Sequence, residues 1–352
     1  MYLGEQLSEP SDERLTLSAL LGVEKVALHT VPRDSGVTLV DGRWDAAALV
    51  ALRQRVEGFG LSLDVLGLDV EHVWGQLLLG GPEAEATLER ITQNVRAAGE
   101  AGIPCLKYRI QPLGVLRTGH VTGRGGARYP TFRYADWSDH TLTELGNVTA
   151  QRMWEVITRF LECVVPVAEA SGVRLACHPQ DAPLPPEGVR GLPHVLSSFE
   201  ALDQFLAIAP SAYHGLNFCQ GTVAEMCSDP KTEVLHAIRH FGSASHGSGG
   251  SSVGGSSGGG KIFMVHFRNI RGGFGDFEEV YPDNGDVDML AAARAYREIS
   301  YQGMLCPDHV PRSDVDRGGE RQFAFCLGYI RAAIQAARLA PGRRTEDGGS
   351  LT

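Results

Sequence analysis

Apolar, β-rich runs alternate with segments of helical period along nearly the whole chain. Eight runs read as strands: the opening MYLG, VEKVALHT from Val23, LSLDVLGL from Leu61, CLKYRIQ from Cys105, VRLACHP from Val173, AYHGLNFC from Ala212, KIFMVHFRN from Lys261 and GMLCPDH from Gly303. Most are apolar on both faces, as a strand inside a parallel sheet requires. The segments between them are amphipathic. One sets Leu88, Ile91, Val95 and Ala98 on a single stripe; another, after the eighth strand, sets Phe323, Leu327, Ile330 and Ile334. Eight strand-then-helix units with right-handed crossovers close naturally into a barrel. The expected fold is therefore α/β, a (β/α)₈ TIM barrel, with residues 1–340 as one domain and 341–352 as a disordered tail. An open doubly wound sheet is the alternative, but no G-x-G-x-x-G follows the first strand.

Two long connections break the rhythm. The first, about residues 112–147, is rich in Gly and Arg (RTGHVTGRGGARYPTFRYADW) and follows the fourth strand. An insertion there sits on the catalytic face of a barrel, so a lid or substrate-binding role is expected. Arg117, Arg124 and Arg128 are its candidates for holding a carboxylate. The second, from Gly242 to Gly260, is almost pure Gly and Ser, buries nothing apolar, and reads as a flexible loop. It precedes the seventh strand and so belongs to the face away from the chemistry; His246 within it is assigned no role.

Composition narrows the function. The 352 residues are 43% hydrophobic and 21% charged, enough for a sizeable core without staples. A net charge of −10 argues against nucleic acid, which needs clustered Lys and Arg. It does not argue against an anionic small molecule, which reads only the local field. The chain opens without a basic segment leading into an apolar run, and no stretch approaches ~18 apolar residues, so neither a signal peptide nor a membrane partner is expected. Seven cysteines without paired spacing fit free thiols in a reducing cytoplasm. Phosphate loops of the GxxxxGK type, G-x-S-x-G elbows and CxxC pairs are missing from the sequence.

The chemistry concentrates at the ends of the last four strands. His178 ends the fifth (LACHPQD), Cys219 the sixth (GLNFCQG), His266 lies near the end of the seventh (FMVHFRN), and Asp308 with His309 ends the eighth (LCPDHVP). Each alone reads as a packed core residue. Together they bring N, S and O donors from four consecutive strands to one rim, which is how barrel active sites are assembled. Buried His and Asp side by side cost several kcal/mol unless paired or ligated, so one divalent metal is expected there. Cys177 alternates to the opposite face and is expected in the core, as is Cys306.

The blocks CHPQDAP, NFCQGTVAEM, VHFRNIRGGFGDFEEVYPDNGDVDM and MLCPDHVP resemble the mannonate dehydratase family of the xylose-isomerase-like barrels. The resemblance runs from about Leu61 onward and is strongest from Val173 to Pro311. It implies a hydro-lyase that converts D-mannonate to 2-keto-3-deoxy-D-gluconate in hexuronate catabolism. It also implies His178, Cys219, His266 and Asp308 as metal ligands and His309 as a proton-transfer residue. Arg268 and Asn269, in the HFRN block, become second-shell or substrate contacts, beside Arg124 from the insertion. Mn²⁺ is the expected metal, with Fe²⁺, Co²⁺, Ni²⁺ or Zn²⁺ as alternatives, and a homo-oligomer is the expected assembly.

One departure from the family stands out. Its members carry a catalytic Tyr in the helix after DHVP, where this chain reads ERQFAFCLGYI. Phe323 or Phe325 falls at that place, with Tyr329 or Tyr281 as possible replacements. Two other functions therefore stay in play: a sugar isomerase or epimerase of the same barrel class, and an inactive homologue that binds a metal or a sugar acid.

Overall fold

The computed structural model describes residues 1–68, 73–243 and 260–339. Within them the strands are β1 Tyr2–Leu7, β2 Lys25–Leu28, β3 Ser62–Gly67, β4 Cys105–Arg109, β5 Gly119–Thr122, β6 Arg128–Arg133, β7 Arg174–His178, β8 His214–Cys219, β9 Ile262–His266, β10 Asn269–Gly273, β11 Asp276–Val280 and β12 Met304–Cys306. The α-helices are α1 Asp12–Leu20, α2 Ala46–Glu57, α3 Trp74–Leu79, α4 Pro82–Glu100, α5 Ala150–Ala170, α6 Phe199–Ile208, α7 Gln220–Glu225, α8 Pro230–Gly242, α9 Met289–Glu298 and α10 Glu320–Leu339.

Eight strands close a parallel barrel in the order β1-β12-β9-β8-β7-β4-β3-β2, one from each of the eight expected runs. Side chains alternate along each strand. Leu28, Leu66, Leu106, Leu175, Leu216, Val265 and Leu305 join the large core shared with the helices. Ala27, Val65, Cys105, Ala176, Met264, Met304 and Cys306 form a separate cluster that fills the barrel interior. Cys177 packs outward and Cys306 inward, both buried. The outer layer follows from helix signals in the sequence. Thr149 caps α5 by accepting from Arg152 N (3.1 Å), and the helix then buries Met153, Ile157, Phe160, Leu161 and Val164. Each such side chain contributes roughly 1.5–3 kcal/mol. The α4 stripe Leu88, Ile91, Val95 and Ala98 is buried as its period predicts, whereas in α10 Phe323 is only partly covered.

Four further strands escaped the sequence pattern. β5 and β6, from the insertion after β4, join β10 and β11, from a second insertion after β9, in an antiparallel sheet of order β10-β11-β6-β5. Phe132 pairs with Phe277 across it, ring centroids 5.8 Å apart. These strands are short, β5 is largely exposed, and β11, which joins β6 to the second insertion, lies more than a hundred residues away in sequence, so no local period marks them. The sheet sits on the C-terminal rim, where an insertion after a barrel strand belongs.

Most of the Gly/Ser loop, including His246, and the 341–352 tail lie outside the described residues. The ends of the loop meet at the entry to β9, where Lys261 N donates to Phe241 O (2.7 Å). Among the described residues no helix is long and apolar enough to cross a membrane, and all seven cysteines are free thiols.

Candidate active site

The inward alternation that fills the barrel with Ala176, Met264 and Cys306 puts His178, His266 and Asp308 one step higher, at the mouth. Cys219 ends β8 directly beside His266 in register. One ligand atom from each of His178, Cys219, His266 and Asp308 falls within a set whose members all lie within 4.8 Å of one another. The His178 and His266 rings are 5.1 Å apart, and His266 Nδ1 is 3.2 Å from Asp308 Oδ2. Cys219 Sγ is 3.8 Å from the same oxygen.

Surrounding contacts prepare each donor. His178 Nδ1 donates to Pro179 O (2.6 Å), which leaves the lone pair on Nε2, and burial pushes the imidazole down to about 4. His266 Nδ1 is buried without a hydrogen bond, while its Nε2 lies 3.1 Å from the Asn217 amide. With the otherwise unpaired Asn217 Oδ1 turned to accept from Nε2–H, His266 Nδ1 becomes the free donor, as in ligating histidines generally. Burial alone would raise the Cys219 thiol, but Arg268 and His266 outweigh it and the pKa lies below the ordinary thiol value. Thr222 N donates to the same sulfur (3.4 Å). Burial also opposes ionisation of Asp308, yet His309, His266 and Arg268 hold it well below the usual carboxylate range. Two imidazoles, a thiolate-prone sulfur and a carboxylate held well below its usual range, packed with an unbonded ring nitrogen at the centre, fit a divalent cation.

Beside this set lies a buried ionic cluster. Arg268 reaches Glu279 Oε1 (2.6 Å), Asp181 Oδ2 (3.0 Å), Thr222 Oγ1 (2.9 Å) and Cys219 Sγ (3.5 Å). Arg117 pairs with Asp181 and Glu279 from the accessory sheet side. Burial opposes ionisation of Asp181 and Glu279, but Arg117 and Arg268 for the first, and His309 with Arg117 for the second, outweigh it and lower both, whereas burial and then Asp181 raise buried Glu225 well above its ordinary value. Gly221 is required here, because a Cβ would stand 2.3 Å from Arg268 Nε.

His309 bridges cluster and mouth. Its Nδ1 bonds Glu279, and its Nε2 faces Asp308 Oδ2 at 3.8 Å. Burial would lower its pKa, but Asp308 and Glu279 raise it to about 9. Its φ of +45° is in the left-handed region, a conformation that costs a non-glycine residue roughly 1–3 kcal/mol and is held by these contacts.

The mouth opens on a cavity of about 620 Å³. Its walls include His178, His266, Asp308 and His309 on one half-barrel and Gln6, His29, Lys107 and Arg109 on the other. Other sequence candidates fall elsewhere. Asn269 is buried and spends its side chain on the 282–287 loop, bonding Pro282 O and Val287 O (2.9 Å each). Arg124 is half-exposed, pairs with Asp283 and stacks on Tyr281 and Phe325; neither it nor Asn269 is among the cavity-lining residues. Arg128 is exposed beside Arg312. Phe323 lines the cavity and Phe325 is exposed, while Tyr281 and Tyr329 are not among the lining residues. Sequence reading passed over Asp181, Glu279, Asn217, Gln6, His29 and Lys107. For Lys107 a signal existed: in CLKYRIQ the inward positions of a buried strand are Cys105, Lys107 and Arg109, two of them charged.

Comparison with known proteins follows the same lines. The D-mannonate dehydratase (UxuA) family matches residues 130–321, more than half of the chain. Mannonate dehydratase 2 of Halalkalibacterium halodurans is 26% identical over 333 residues, spanning 84% of this chain and 90% of its own. Mannonate dehydratase of Streptococcus suis is 26% identical over 367 residues, 94% and 92% of the two chains. The crystal structure of mannonate dehydratase from Streptococcus suis serotype 2 superposes with a TM-score of 0.79 at 24% identity, over 100% of this chain and 99% of that one. D-psicose 3-epimerase from Clostridium cellulolyticum H10 shares the barrel alone, with a TM-score of 0.59 and 13% identity over 95% and 99%. By the family match the chain belongs to the D-mannonate dehydratase family, whose members are hydro-lyases.

Proposed function

We propose that the protein dehydrates D-mannonate to 2-keto-3-deoxy-D-gluconate with one divalent metal held by His178, Cys219, His266 and Asp308. The observation that carries the reading is the convergence of those four donors, from β7, β8, β9 and the end of β12, on one point at the floor of the cavity. A cation there stabilises negative charge that builds on the substrate's oxygens when the proton α to the carboxylate is removed. Mn²⁺ is the proposed metal, favoured by availability, since raw affinity for a His/Cys set runs toward Zn²⁺.

The chain's own groups supply the rest. His309, anchored through Nδ1 to Glu279, turns Nε2 to the site and gives a proton to the departing 3-hydroxyl. Arg268 lowers the Cys219 thiol and, after His309 and His266, the Asp308 carboxyl, which favours their ionised forms. An epimerase reading has less support, because this site gathers one carboxylate among four donors. The test is a product assay. Protein loaded with Mn²⁺ and given a panel of hexonates should convert D-mannonate to a 2-keto-3-deoxy acid; an epimerised hexonate, or no product from any of them, overturns the proposal.

A further inference from the structure

Dehydration moves two protons, one off C2 and one onto the leaving hydroxyl, and His309 accounts for one. The remaining titratable cavity groups divide sharply. His178, His266 and Asp308 are the metal set, and Asp181 is locked between Arg117 and Arg268. Among the described residues the rest are Lys107 and His29, the guanidinium groups of Arg109 and Arg312, which keep their protons, and Tyr108, whose ring packs on Phe160 and whose hydroxyl burial raises well above its ordinary value. Phe323, which also lines the cavity, has no proton to exchange.

Lys107 occupies an unusual place. It is inward on β4, level with Ala176 and therefore one layer beneath His178. It is buried and, among the described residues, without a carboxylate partner; its Nζ bonds Gln6 Oε1 and lies 3.3 Å from His29 Nδ1. Gln6 is itself oriented, because its Nε2 donates to Asp308 Oδ1 (3.4 Å). Two of the three tetrahedral positions on Nζ are thus committed to fixed acceptors on β1 and after β2. The third is the one left to face the cavity. A neutral amine keeps both N–H bonds and presents its lone pair there.

We propose that Lys107 is the base that takes the C2 proton of the bound sugar acid, an assignment that rests on the dehydratase reading above. The C2–H bond breaks and its proton passes to Lys107 Nζ. The electron pair becomes the C2=C3 bond as C3–O breaks, and the hydroxyl leaves as water with a proton from His309. The resulting enol ketonises to the 2-keto acid, and solvent exchange resets both groups. The charged and titratable groups around Nζ are His29 just after β2, Cys306 on β12 and Asp308 two residues beyond it, and Cys105 on its own strand. Burial, the largest influence, brings the ammonium down to about 8, close to where a base works best.

The test compares the Mn²⁺-loaded wild type with Lys107→Ala and Lys107→Arg on D-mannonate. Both variants should keep bound metal and KM and lose about 10²–10⁴-fold in kcat. Methylamine and weaker-based primary amines should restore Lys107→Ala in order of basicity, which a merely structural lysine would not allow. In the wild type kcat/KM should rise with pH through about 8, a limb absent from Lys107→Arg. An active wild type with either variant within tenfold in kcat, or without amine rescue of Lys107→Ala, overturns the assignment alone. A wild type inactive on every hexonate overturns it together with the dehydratase reading.

Discussion

Arg268 is the residue whose loss the structure prices most clearly. Its guanidinium is buried and stands among Asp181, Glu279, Glu225 and Cys219, with Arg117 as the other arginine of the cluster. Arg268→Met keeps much of the volume and strands Asp181 and Glu279 with half their positive charge. Breaking one partner from a buried ionic group costs about 3–5 kcal/mol. Unfolding entropy near 2 cal/mol/K per residue gives roughly 0.7 kcal/mol/K for a chain of this length, so Tm should fall by about 4–7 °C. Glu225→Gln is the control: burial and Asp181 raise Glu225 well above its ordinary value, neither oxygen makes a well-aligned hydrogen bond although Oε1 lies 2.9 Å from Arg268, and the uncharged amide should move Tm by less than about 1 °C. Differential scanning calorimetry on both variants decides the matter. Equal, small shifts would mean that the cluster is not held by its arginines; a large loss in Glu225→Gln would mean that Glu225 is ionised.

Asp308→Asn should lower metal retention on dialysis, whereas His309→Asn should keep the metal and lose about 10²–10⁴-fold in kcat; elemental analysis beside kinetics separates them, and equal metal loss in both would contradict the division of roles. Replacing residues 244–259 by a short turn should leave Tm and turnover unchanged, because the chain on either side already meets at Phe241 and Lys261; a fall in kcat in a folded deletion would refute this. His194 and His214 are held near 4 by burial, against about 6.5 unfolded, so the unfolded chain binds protons first. Stability is then full above pH 6.5 and falls toward pH 4 by roughly 3 kcal/mol per histidine; His214→Gln should flatten that slope in urea titrations, and an unchanged slope would count against it.

The barrel and the four donors were legible because both follow a local rule. Apolar runs of strand length recur eight times, and a metal-capable side chain at the end of each of the last four is a position that the sequence states directly. The accessory sheet was not legible, since Phe132 meets Phe277 only in the folded chain. The same holds for the ionic cluster: Arg117, Asp181, Arg268 and Glu279 come from four separate segments. Arg124 and Asn269 show the converse limit. The HFRN block drew attention to Asn269 and the Arg-rich insertion to Arg124, but bonding directs their side chains to the 282–287 loop and to Asp283.

The central claim is the location of the metal, and anomalous scattering from crystals grown with Mn²⁺ tests it most directly. The account predicts one strong peak bonded at about 2.0–2.5 Å to atoms of His178, Cys219, His266 and Asp308. Asp181, Glu279 and His309 form a second compact group of ligand-capable atoms nearby, and a peak there, with the first position empty, would contradict it.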